Sequence, residues 1–511
     1  MLRSYLAFLV ALVVVASGST SLAEELPRRK PFSSDTIRQE KQTDSFGYPL
    51  AAADKVQIVR LLRSAEFAKL DQVLNEYERE AETDFRREDW IGSAIDAFAV
   101  ADPSFRPLLD RWVQQMPNSA VARLARGAYW NGFAWEARGG KFASETTGAQ
   151  FDAMKDYASR ALQDVTQAIQ LNPRMAEAFR YLVNIYNANS RRDDCKRAFE
   201  DGVKVQPQSF RLRAAYMNAL LPRWGGSYAA MEALAAESEQ LAGVNPRLKV
   251  LRGYIPWDRG RSLPALKVSE RRQAFLEALS FGPHWIFFED LGNEHAAAHQ
   301  DDEALQDYLK ADAQTPQNAR LLRKLARMFL ALHRPDDARA ALAAADAFDS
   351  AGAEKDKRAR IEAELLVVQG HHAYEKGNSD EALSELKQAQ KRYPANAPSH
   401  YWQGRTYLKA GDFDRALTEF QNAVQSDPRD IESYKNIDYL LARQGKWEAI
   451  ISYWDRYLRL EPTSGEGYLE RGGAYLHKGD RESALADADR ACRLGNVKGC
   501  EVARRYSGAP R

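Results

Sequence analysis

Few residues in this chain have both the type and the spacing for chemistry. His295 and His299, four apart in EHAAAHQDD, would share one helix face and could together hold a metal. The zinc-hydrolase order, in which a glutamate directly follows the first histidine, is missing, so no metal is expected there. His371 and His372 are adjacent and would diverge by about 100° on a helix. The acidic pairs Asp301–Asp302 and Asp336–Asp337 open helices, where negative charge suits the dipole. GSYAAM after Trp224 has the wrong spacing for a nucleophile elbow, and no Gly-rich segment precedes a Lys-Ser or Lys-Thr pair. Trp130, Trp135, Arg138 and Trp224 could line an aromatic ligand pocket, but aromatics at helical spacing usually fill cores. The expectation is a protein without catalytic residues, metal or cofactor.

What positions these residues is a strict period. Gly377, Gly411, Gly445 and Gly479 are each 34 residues apart. Gly370, Gly404 and Gly472 obey the same ruler, with Asp438 in the intervening slot. Ala382, Ala416 and Ala484 follow, Ile450 filling the gap, and Pro394, Pro428 and Pro462 close three units. Small residues let two antiparallel helices approach, Gly ends the first helix and Pro stops the second. SHYWQGRTYLKAGDFDRALTEFQNAVQSDP, with Gly404, Tyr407, Ala416, Phe420, Ala423 and Pro428 in register, resembles the tetratricopeptide (TPR) repeat over four units between 363 and 496.

The resemblance implies an all-α, right-handed superhelical solenoid of helix hairpins whose first helices line a concave groove. It also implies a scaffold that binds a protein or peptide partner. Its groove positions fall on Arg323, Arg327, His371, Tyr401, Arg405, Lys435, Asn436, Tyr439 and Arg443. The paired Lys and Asn positions of the carboxylate-clamp variety are not reproduced. Arg320, Arg323, Lys324, Arg327 and Arg334 form a basic stripe that reads as a solvated helix face.

The period extends upstream through Pro316, Pro207 and Pro173, and Pro117 suggests an earlier hairpin. It breaks twice. Gly127 pairs with Ala161 rather than position 139, an insertion of 22 residues, and ten extra residues around AGAEKDKRAR imply an elongated helix or linker. In WGGS, Gly225 and Gly226 permit positive φ in a turn from which a helix starts at Ser227. Cys195 reads as a packing thiol. RWVQQMPNSAVARLARGAYWNGFAWEARG and LLPRWGGSYAAM resemble an uncharacterised domain family of exported bacterial proteins that precedes TPR units. Small-ligand or glycan binding, or a hydrolase activity, in this half is the alternative function. The spacing of Cys492 and Cys500 across a Leu-Gly-Asn turn resembles that of Sel-like repeats, which implies a disulfide; two packed thiols or a zinc site are the alternatives.

Arg3 and the apolar run YLAFLVALVVVA, followed by SLA, read as a secretory signal cleaved after Ala23. The expected organisation is a signal at 1–23 and a disordered leader at 24–49. A helical TPR-like domain follows at 50–283, then two TPR-like units at 284–352 and four units with a cap at 353–511. No later run is long enough to span a membrane, and the expected location is the periplasm. In 511 residues, 28% charged and 45% hydrophobic residues suit amphipathic helices, and a formal charge of +1 offers no nucleic-acid footprint.

Overall fold

A computed structural model describes residues 43–49, 53–139, 146–347 and 355–506. The signal segment and the leader before Thr43 lie outside the described residues. Among these residues all regular structure is helical; Thr43 and Pro49 form an isolated antiparallel bridge.

The hairpin Ala397–Lys409 and Phe413–Ser426 shows how local sequence sets the unit. Asn396 caps the first helix by accepting from the Ser399 N–H at 2.9 Å. Gly411 turns the chain with φ +79°, and Asp412 caps the second helix through the Arg415 N–H at 3.1 Å. Gly377, Gly445 and Gly479 repeat that left-handed turn. In the two preceding units the same position is held by His299 and His333, at φ +57° and +55°. His299 is therefore a turn residue, and His295 donates to or accepts from Asp307 at 2.8 Å within its own hairpin.

Packing explains the other periodic glycines. A Cβ on Gly404 would stand 2.8 Å from the Phe420 ring, and one on Gly370 2.6 Å from Leu386. Asp438 breaks this rule and is compensated: its carboxylate accepts from the Trp454 indole N–H at 2.8 Å, with Trp454 standing where Phe420 and Leu386 stand in their repeats. Trp454 is fully buried. Asp438→Ala leaves that indole donor unpaired in the core, and the expected loss is ~1–3 kcal/mol, read as a lower urea midpoint. An unchanged midpoint would contradict this account.

The irregularities are helix extensions and turns. The added residues after Gly127 lengthen both helices of one hairpin, Ala120–Arg138 and Gly148–Leu171, which stay packed: a Cβ on Gly127 would meet Val165 at 2.6 Å. Trp130 packs on this longer helix through Tyr157, ring centroids 6.0 Å apart. The ten residues before 363 belong in part to the 21-residue helix Lys355–Glu375. Gly225 has φ +82°, and Ser227 caps Tyr228–Glu239 through the Ala230 N–H. Cys492 and Cys500 are disulfide-bonded with Cα atoms 4.5 Å apart, tying Arg481–Arg493 to Val497–Tyr506. Cys195 is buried and free.

Two boundaries differ from expectation. One continuous core runs from Ala53 to Ala345, across the boundary expected at 283, because each hairpin buries its apolar face on the next. The leader is ordered at its end: Tyr48 is buried, and its hydroxyl donates to Glu88 at 3.2 Å and accepts from Asn245 at 2.8 Å. No helix among the described residues is long and apolar enough to cross a membrane.

Candidate binding site

The superhelix of the N-terminal half closes on itself. The Lys55 N–H donates to the Gln317 side-chain oxygen at 2.6 Å, and the Gln317 amide donates to Asp54 at 3.1 Å, joining segments 262 residues apart. Gln317 reaches this position with φ +55°.

Closure forms a partly open cavity of about 530 Å³. Its wall is built on the helix Glu88–Asp96, whose residues 88, 89, 92 and 96 share one face. Asp96 accepts from Arg180 at 2.7 Å, from Arg211 at 2.9 Å and from the Tyr181 hydroxyl at 2.9 Å. Glu177 also binds both guanidiniums, at 2.7 Å from Arg180 and 3.3 Å from Arg211. Asp89 accepts from Arg247 at 2.6 Å, and Arg247 lies over the rings of Tyr48 and Phe210, 4.5 Å from each centroid. Arg211 enters this cluster because residue 92 is glycine: a Cβ there would lie 2.1 Å from the guanidinium. Glu88 accepts from the Phe210 and Arg211 N–H groups at 2.9 and 3.3 Å, capping the helix Phe210–Ala219.

Three guanidiniums thus face three carboxylates. Burial works against the charge of Asp96, but Arg180, Arg211 and Lys55 outweigh it and hold the carboxyl well below the usual range. Asp89 is lowered in the same way, with Arg247 and Arg211 overcoming burial. Asp96 retains 36% of its side-chain surface although the cluster is interior, because that surface faces the cavity. Burial, reinforced by Arg247, pushes His284 down to about 3, so it is neutral. Burial, with Arg211 adding to it, depresses the Lys55 amine, while Asp96 opposes.

The residues expected to form a pocket fall in two places. Trp135 and Trp224 meet edge to face at 5.9 Å with Arg138 over both rings, at 5.8 and 5.7 Å. Trp130 is 7% exposed, in the core beside Tyr157 and Phe133. The cavity is elsewhere, and composition gave no hint of it. Its one local signal is the acid–glycine–acid face of EDWIGSAID.

The C-terminal groove has its own organisation. The His371 ring stacks on Trp402 at 3.7 Å, and Arg405 lies over Tyr401 at 5.8 Å and over Tyr374 and Trp402 at 6.0 Å. One repeat later Arg443 lies 4.2 Å over Phe413, and Tyr439 is 50% exposed. Arg405 and Arg443 donate to the Tyr401 and Tyr439 hydroxyls, at 2.9 and 3.3 Å, with no carboxylate partner among the described residues. Lys435 is instead tied to Glu432 and Glu466, at 2.8 and 2.5 Å, and Asn436 to the Glu432 carbonyl. Arg327 is half exposed and lies 4.0 Å from Glu364. Arg323 is a correction: at 4% exposure it lies in the interior rather than on a groove, because Ala319–Leu325 packs into the core of the closed N-terminal half. The basic stripe is likewise ion-paired in part, Arg320 and Lys324 both reaching Glu289. No group of three or more His, Cys, Asp or Glu suited to a metal occurs among the described residues.

Residues 367–431 and 439–497 match a tetratricopeptide repeat family model, and residues 54–190 match a domain of unknown function, DUF4034. The Sel-like resemblance of the last hairpin is not among the matches. No curated protein matches the chain. Among solved structures, YrrB, described as a TPR protein with an unusual peptide-binding site, is 21% identical with a TM-score of 0.27, covering 39% of this chain and 97% of its own. Pseudomonas aeruginosa pilF is 20% identical with a TM-score of 0.32, covering 43% of this chain and 97% of its own. The Cut9–Hcn1 hetero-tetramer of the APC/C gives 14% identity and a TM-score of 0.34 over 88% of this chain and 94% of the matched chain. The chain is an all-helical solenoid whose C-terminal region consists of tetratricopeptide repeats, a protein-interaction architecture, preceded by a DUF4034 domain.

Proposed function

We propose that the protein is an exported, non-enzymatic scaffold that holds a protein or peptide segment in the groove of its C-terminal repeats. The observation behind this is the pair Arg405 and Arg443: both stack on aromatic rings, and neither has a carboxylate partner among the described residues. Tyr and Arg combine contact area with directional donors and dominate interface energetics. Two guanidiniums without carboxylate partners, one on the first helix of a hairpin and one at the end of the first helix of the next, favour a partner segment that carries carboxylates, to which Arg donates in bidentate fashion. Export rests on the N-terminal apolar run, and the Cys492–Cys500 bond supports it, since such bonds persist in oxidising compartments.

Arg405→Ala combined with Tyr439→Ala is expected to reduce crosslinked recovery of the main partner from native envelopes at least tenfold, with the helical circular dichroism unchanged. Recovery equal to wild type would sink the groove assignment. The alternative, ligand or hydrolase chemistry around Trp130 and Trp224, has weaker support: Trp135, Arg138 and Trp224 occupy one another's faces, and Trp130 is a core residue.

A further inference from the structure

We infer that the cavity of the closed N-terminal half is a binding site for a small organic anion, a molecule with one carboxylate or phosphoryl group on a polar body, with Lys55 as its counter-charge. This goes beyond the groove and does not depend on it.

The wall divides into groups already committed and groups left over. Its cations Arg180, Arg211, Arg247 and Arg320 each have a carboxylate within ion-pairing distance. Lys55 has none among the described residues, and its ammonium donates only to the Gln317 carbonyl, at 3.3 Å. An ammonium partly withdrawn from water without an ion-pair partner is under-compensated, and a bound anion would supply the missing charge. Five further wall residues have no side-chain hydrogen bond to protein among the described residues: the Ser93 and Thr315 hydroxyls, the Asn184 and Gln314 amides and the Trp285 indole N–H. All five can donate. The acceptors Asp89 and Asp96 are by contrast engaged by guanidiniums.

The unused capacity is thus donor-rich, which selects an acceptor-rich ligand. Asp89, Asp96 and Glu177 balance Arg180, Arg211 and Arg247, and the wall carboxylate Asp44 is taken up by the Phe46 and Tyr48 N–H groups, so Lys55 can meet an anionic group without breaking the cluster. Charged walls exclude a lipid chain. A partly open cavity of about 530 Å³, bounded by the Lys55–Gln317 contact, suits a metabolite-sized molecule rather than a polymer.

The full chain is compared with Lys55→Met and Lys55→Arg by thermal unfolding, with glucose 6-phosphate, D-glucuronate and neutral glucose as probes, ionic strength being held with sodium chloride. Lys55→Met removes a partly buried charge that has no ion-pair partner, at similar volume, so it is expected to fold. An anionic probe is expected to raise the wild-type unfolding temperature by about 2–4 °C, to do nothing to Lys55→Met and to act partly on Lys55→Arg. Response to the phosphate ester alone assigns a phosphoryl ligand, and response to glucuronate alone a carboxylate. Equal response of wild type and Lys55→Met, response to glucose alone, or no response to any probe overturns the assignment.

Discussion

Arg211→Met is expected to cost ~3–5 kcal/mol of stability, because it strips a guanidinium from Asp96, Glu177 and Asp89 at once and leaves buried carboxylates undercompensated. The measurement is the urea midpoint of the N-terminal half, followed by near-UV circular dichroism. Gly92→Ala gives the sharper test. In wild type the new methyl group collides with the Arg211 guanidinium and displaces it, so the variant is destabilised. In an Arg211→Ala background the obstacle is gone, and only the helix preference of Ala over Gly remains, ~1 kcal/mol in favour of Ala. The same substitution should therefore change sign between the two backgrounds, a coupling expected of residues in direct contact. Additive effects would show that Gly92 is not there to admit Arg211.

Stability is expected to fall as pH rises toward 9, and Glu78 to be a main reason. Burial, then repulsion from Glu82 and Glu177, raises its carboxyl to about 8, and its Oε2 has no hydrogen-bond partner. Arg174 and Arg180 stand in the same small cavity but neither pairs with it. In the unfolded chain the carboxyl loses its proton near 4.3, and each pH unit between the two values is worth ~1.4 kcal/mol. Across that interval the folded state binds more protons than the unfolded one, so stability declines with rising pH. The contribution is complete below about pH 4.3 and lost as pH passes through about 8. Glu78→Gln keeps the side chain neutral at every pH. It should match wild type near pH 4.5 and exceed it by several kcal/mol at pH 9 in urea titrations. Glu88 and Glu470, both raised by burial to about 7, slope the same way in both proteins, so the difference isolates Glu78. Parallel pH profiles for the two proteins would remove Glu78 as the cause.

Much of the fold was legible because its rules are local. A left-handed turn every 34 residues, a cap beside it and a small residue where two helices touch are each written within one hairpin. Even the irregularities were marked: Gly127 without its partner at 139 signalled 22 inserted residues, which the structure takes up in two longer helices, and WGGS signalled the turn before Ser227. Tyr401, Arg405 and Tyr439 fell on first helices, and Arg443 at the end of one, for the same reason.

Sequence alone therefore determined the repeat, the hairpin and the residues each first helix presents. Tertiary structure decided which ends meet. The Lys55–Gln317 contact sums small rotations of every hairpin between them, and no local pattern encodes such a sum. That closure turns EDWIGSAID from an ordinary amphipathic helix into one wall of a charged cavity. It also orders Tyr48 in a leader whose composition reads as disordered, and buries Arg323 where the repeat would expose it. Burial of charge is a property of the assembled ring, because each carboxylate on Glu88–Asp96 finds its partner on a helix that only the curvature of the solenoid brings near.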